Sequence, residues 1–133
     1  MRLLLADDQP KIRFALRTLL RFQAGLTIVG EASTTDGLLA LAEQTSPDVV
    51  LLGWGLRGSP TDALLPALRR ICPHLYVIAL SSRPEARDAA LAAGADAFVS
   101  KIDPPRHLLE ALADYERPKR NKKGVGPWPN APS

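Results

Sequence analysis

The sequence has one cysteine, Cys72, so no disulfide can form within the chain. A lone thiol fits a reducing compartment. There are two histidines, His74 and His107, and together with a single cysteine they exclude a zinc cluster. Neither histidine has a sequence neighbour that would make it a base or a ligand. No apolar run approaches the roughly 18–20 residues of a membrane span. The first run, Leu3-Leu4-Leu5-Ala6, stops at Asp7-Asp8, too early for the apolar core of a signal peptide. The expectation is a cytoplasmic protein with no membrane partner. Acidic residues are missing altogether from the last 17 positions.

What is present is ordinary globular composition, 46% hydrophobic and 23% charged over 133 residues. That length suits one domain, which buries roughly two-thirds of the surface its unfolded chain exposes. The formal net charge of +3 invites a nucleic-acid reading, but it is unevenly placed. Residues 117–133 hold Arg117, Lys119, Arg120, Lys122 and Lys123 with no acid, among Pro118, Pro127, Pro129 and Pro132. Residues 1–116 hold 12 basic and 14 acidic side chains, so the body is acidic. Two parts are expected: a folded body over residues 1–116 and a basic, Pro/Gly-rich disordered tail over 117–133. Such a tail gives weak, salt-sensitive attraction to polyanions and no sequence-specific nucleic-acid binding.

Along the body, compact apolar runs alternate with amphipathic segments. Leu3–Ala6, Leu26–Gly30, Val49–Leu52, Tyr76–Leu80 and Ala97–Ser100 read as strands. Pro10–Phe22, Thr35–Gln44, residues 61–71, Pro84–Ala93 and a segment from Pro105 to Tyr115 read as helices. Pro10 suits a first helical turn, and Gly94 suits a left-handed stop. Continuous apolar strands mean a parallel sheet covered on both faces by right-handed crossovers. The predicted fold is therefore α/β, a doubly wound five-stranded sandwich. In such folds, function collects beyond the carboxyl ends of the strands. That edge carries Asp7, Asp8, Gly53, Ser81 and Lys101. Adjacent acids such as Asp7 and Asp8 want a cation, either Mg²⁺ or a basic side chain, although they also suit a helix N-terminus.

These landmarks, in this order, resemble the receiver domain of two-component response regulators. They are Asp7-Asp8, the run from Val49 to Gly58, the run from Val77 to Ser82, and Phe98-Val99-Ser100-Lys101. The resemblance spans residues 1–116 and implies a (βα)5 flavodoxin-like three-layer sandwich. The opening and the Lys101–Pro105 stretch look most like receivers that precede a helix-turn-helix output domain; none follows here, so the reading is a stand-alone module. The resemblance implies that Asp7 and Asp8 bind Mg²⁺. It also makes Ser81 and Lys101 phosphoryl contacts and Phe98 a switch aromatic. It makes Gly53 the phosphoacceptor position, where the family has Asp.

Glycine has no carboxylate, so aspartyl phosphorylation has no nucleophile at that position. With two acids left, Mg²⁺ binding is expected to be weak at most, and no cofactor is required. Lys101 is expected to turn to Asp7 or Asp8. Arg57, standing where the family usually has Pro, is expected to bring a second cation into the pocket. The expected function is a pseudo-receiver in phosphorelay signalling, not an enzyme, working through protein contacts. Its expected partners are a histidine kinase or another regulator, and a second copy through residues 84–115, the face that resembling domains use. Two alternatives stand beside it. One is a metal-dependent phosphotransfer or hydrolase site using Asp7, Asp8 and Lys101. The other is a nucleic-acid adaptor acting through the basic tail.

Overall fold

The computed structural model describes residues 1–124, apart from the side chains of residues 61, 62 and 117–124. The chain divides into two units, Met1–Ile102 and a second that starts at Asp103.

The first unit is a parallel sheet of five strands in the order β2-β1-β3-β4-β5. They are β1 (Arg2–Ala6), β2 (Thr27–Ala32), β3 (Val49–Gly53), β4 (Tyr76–Ser81) and β5 (Ala97–Ser100). Helices α1 (Pro10–Leu20), α2 (Thr35–Thr45), α3 (Thr61–Ile71) and α4 (Arg87–Ala92) make the connections. The chain leaves β1 toward β2 and then returns across it to β3. Right-handed crossovers therefore put α1 on one face and α2, α3 and α4 on the other.

The strands are apolar on both faces because both are covered. Leu4, Ala6, Val50, Leu52, Val77 and Ala79 alternate toward one cluster, where they meet Leu38 of α2, Leu64, Leu65 and Leu68 of α3, and Ala90 of α4. The intervening residues Leu3, Leu5, Leu51 and Ile78 are completely buried on the other face. Truncating one such leucine to alanine costs about 2–5 kcal/mol.

Local chemistry sets the helix ends. The Thr34 hydroxyl accepts from the Gly37 N–H at 3.1 Å and caps α2. That helix ends at Ser46, which is left-handed at φ 47°. Pro10 opens α1, where its missing N–H costs nothing. Pro66 lies at the midpoint of α3 without ending the helix. The helix expected from Pro84 opens as a 3₁₀ turn, Pro84–Ala86, before α4 begins at Arg87.

The second unit carries α5 (Pro105–Gly124). The boundary expected at 116–118 falls inside this helix, which continues through Pro118. The Lys and Arg residues that gave the segment its tail-like charge are also good helix formers, and composition alone does not separate the two. Residues 125–133 of the expected tail, with Trp128, lie outside the described residues.

Candidate functional site

The carboxyl ends of β1, β3, β4 and β5 lie side by side, and the chain reverses its direction across the sheet between β1 and β3. The register aligns them. Ala6 pairs with Leu52, Gly53 with Leu80, and Ser81 with Ser100. Past the strand ends the backbone stays tied: Asp7 N–H donates to Ala32 O, Trp54 N–H to Leu80 O, and Lys101 N–H to Ser81 O. Residues far apart in sequence therefore converge on a small cavity of about 20 Å³. It is lined by Asp7, Asp8, Gly53, Trp54, Gly55, Leu56 and Lys101. A volume of that order holds about one water molecule.

Asp7 is the centre of the arrangement and is 1% exposed. Its Oδ1 accepts from the Gln9 N–H at 2.9 Å, and its main-chain oxygen accepts from Arg13 Nη1 at 2.6 Å. Lys101 Nζ lies 2.6 Å from Asp7 Oδ2 and donates to Gln9 Oε1 at 3.4 Å. Oδ2 accepts no well-directed hydrogen bond, so its compensation is the charge of the ammonium. A buried carboxylate needs such a partner, because the desolvation cost is several kcal/mol. Asp8, the next residue, is only half-buried and also lines the cavity.

Gly53 is buried, with little room on its side-chain face. A Cβ added there would lie 2.5 Å from Asp7 Oδ2, 3.0 Å from Asp7 Cγ and 3.3 Å from Ala6 O. The φ of Gly53 is not positive, so the backbone makes no demand for glycine. The demand comes from the Asp7 carboxylate, which occupies the space of a side chain at position 53.

A model of the response regulator receiver domain matches residues 3–113. The chain belongs to the response regulator receiver domain family. The nitrate/nitrite response regulator NarL of Escherichia coli K12 is 34% identical over 112 residues, which cover 83% of this receiver. A putative transcriptional regulator of Pseudomonas aeruginosa is 35% identical over 120 residues, covering 86%. The receiver spans about half the length of these curated relatives, 52% and 58% respectively. Among solved structures, the isolated REC domain of RcsB from Salmonella enterica serovar Typhimurium superposes with TM-score 0.80 at 24% identity, covering 88% of each chain. A two-component response regulator of the LuxR family from Aurantimonas superposes with TM-score 0.76 at 26% identity, covering 85% of this chain and 82% of that one.

Four of the residues named from the sequence line the cavity of this receiver: Asp7, Asp8, Gly53 and Lys101. Ser81 ends β4, 7% exposed, but its hydroxyl accepts from the Arg83 N–H at 3.0 Å and it is not among the lining residues. Phe98 is half-buried in β5 and packs against the main apolar cluster. Arg57 is a correction. It is exposed and does not line the cavity. Gly55 and Gly58 flank it at φ +93° and +124°, and the Arg57 carbonyl accepts from the Thr35 N–H at 2.9 Å.

The sequence reading passed over Gln9 and Arg13. Gln9 is the residue before a helix-opening proline, and its main-chain N–H and side chain both serve the site. Arg13 is one turn into α1, where a long cation reaches back to the strand end. Neither has a signal beyond its offset from Asp7. Outside the cavity, Cys72 is the free thiol, and burial raises its pKa above the ordinary thiol value.

Among the described residues, no helix is long and apolar enough to cross a membrane.

Proposed function

We propose that this receiver works as a pseudo-receiver in two-component signalling and regulates through protein contacts without aspartyl phosphate. Gly53 carries the reading. It stands at the end of β3, beside the acid pair and the lysine, at the position the resemblance gives to the phosphoacceptor. It offers no carboxylate, and the nearest one, that of Asp7, is buried against Lys101. A chain with these features takes its input from what it binds: a histidine kinase, another regulator or a second copy, in the cytoplasm. Residues 84–115 are the proposed dimer contact. Leu91 and Ile102, 37% and 72% exposed, supply apolar surface within that range. No cofactor is required for this role.

The alternative, a phosphotransfer or hydrolase site, needs an activated nucleophile. Ser81 and Ser100 both end strands at this edge, and their hydroxyl oxygens are engaged by the Arg83 N–H and the Ile102 N–H respectively. Among the described residues, no group of three or more His, Cys, Asp and Glu side chains is placed to hold a metal. Polyanion attraction by the basic residues after 116 is kept as a secondary, salt-sensitive property.

The deciding experiment incubates the chain with acetyl phosphate and Mg²⁺, and separately with beryllofluoride, followed by intact-mass analysis and fluorine NMR. The expected result is no added phosphoryl mass and no bound-fluoride signal. A stable adduct on the unmodified chain overturns the reading.

A further inference from the structure

Two facts about the cavity belong together. The Asp7 carboxylate lies where a side chain at position 53 would stand, 2.5 Å from the place of its Cβ. The Lys101 ammonium lies 2.6 Å from that carboxylate, where an acid site would otherwise attract a metal ion. The resemblance implies Mg²⁺ here, and the residues present do not fit it. Mg²⁺ demands near-octahedral oxygen ligands and keeps several of its waters. Asp7 is already paired, its Oδ1 is engaged by the Gln9 N–H, and the cavity has room for about one water. Only Asp8 remains, half-buried in the lining.

We infer that Asp7 and Lys101 form an internal plug that replaces both the missing side chain and the metal, so that Lys101 determines which cation the site accepts. The plug rests on reading the site as a receiver pocket without its phosphoacceptor, and it deepens that reading. Its parts are reciprocal. Without a side chain at 53, the carboxylate settles over the end of β3. Once buried there, it needs a cation that brings no water shell, and a tethered ammonium meets that need. The tether is short because Lys101 begins where β5 ends, with its N–H bound to Ser81 O. The Gln9 side chain accepts from the same ammonium at 3.4 Å. A divalent ion would have to displace the ammonium and then sit beside it.

The experiment uses the full chain carrying Trp128→Phe, so that Trp54, which lines the cavity, is the only tryptophan. MgCl₂ is titrated while Trp54 emission is recorded, with KCl at matched ionic strength as the control. The parent chain is expected to show no saturable change at millimolar Mg²⁺. Lys101→Met is expected to bind Mg²⁺ with affinity raised about tenfold or more, equivalent to roughly 1.4 kcal/mol. Lys101→Arg keeps a cation and is expected to behave as the parent does. Equal Mg²⁺ affinity in the parent and Lys101→Met overturns the plug, whether both bind or neither does.

Should Lys101→Met fail to fold, a second measurement is made on the intact chain. An exchange-protected Lys101 Nζ resonance is expected in NMR spectra, absent in Asp7→Asn and unchanged by Mg²⁺. Loss of that resonance on adding Mg²⁺ overturns the plug. A phosphoryl adduct on the unmodified chain sinks the pseudo-receiver reading itself, whereas either plug failure leaves that reading standing.

Discussion

Gly53→Ala tests the packing at the heart of the site, because it adds one methyl group and no charge. A methyl there meets Asp7 Oδ2 at 2.5 Å and Ala6 O at 3.3 Å. Two effects of opposite sign apply. Alanine in a strand interior is favoured over glycine by about 0.5–1 kcal/mol, since the unfolded chain loses less freedom. Forcing an extra methyl into filled space costs about 1–3 kcal/mol. The second wins, because the displaced group is a buried carboxylate held by Lys101 and the Gln9 N–H. The single substitution is expected to destabilise by about 1–2 kcal/mol. In an Asp7→Ala background the overlap with the carboxylate is gone. There Gly53→Ala is expected to be neutral or to stabilise by up to about 1 kcal/mol. The coupling between the two positions is then about 1–3 kcal/mol, within the range for residues in direct contact. Urea unfolding of the four proteins, followed by far-UV circular dichroism, measures it. Effects that add within about 0.5 kcal/mol would refute the claim that the Asp7 carboxylate fills the space at position 53.

Arg69→Ala is expected to cost about 2 kcal/mol in the same assay, because one guanidinium ties Leu75 O, Gly94 O and Asp96 Oδ2, and Asp96 in turn holds the Val77 N–H. Full retention of the urea midpoint would show that these bonds are not made in solution. Burial holds the Cys72 proton more tightly in the folded chain than in the unfolded one. Stability from this thiol is therefore present below the ordinary thiol pKa of 9.0 and falls as pH rises through it, and iodoacetamide is expected to modify Cys72 more slowly in the native chain than in urea. Equal alkylation rates in the two states would count against its burial.

The sequence by itself determined the architecture. Apolar runs of four to six residues, separated by amphipathic segments, admit a parallel sheet covered on both sides and little else. That places Asp7, Asp8, Gly53 and Lys101 at one edge before any coordinates are known, since each directly follows or ends an apolar run. Family resemblance then made Gly53 conspicuous as a missing carboxylate. Tertiary structure decided how the site packs around that glycine. Asp7 and Asp8 are neighbours in sequence with equal charge, yet one is buried against Lys101 and the other is only half-buried. A string of residues does not say which of two adjacent side chains turns inward, because that depends on the space left by a residue on another strand. Arg57 shows the same limit: the family resemblance suggested a pocket residue, and the fold leaves it exposed and outside the lining. A glycine marks where a side chain is lacking, while its packed neighbours decide whether the space stays empty or is taken over by the carboxylate next door.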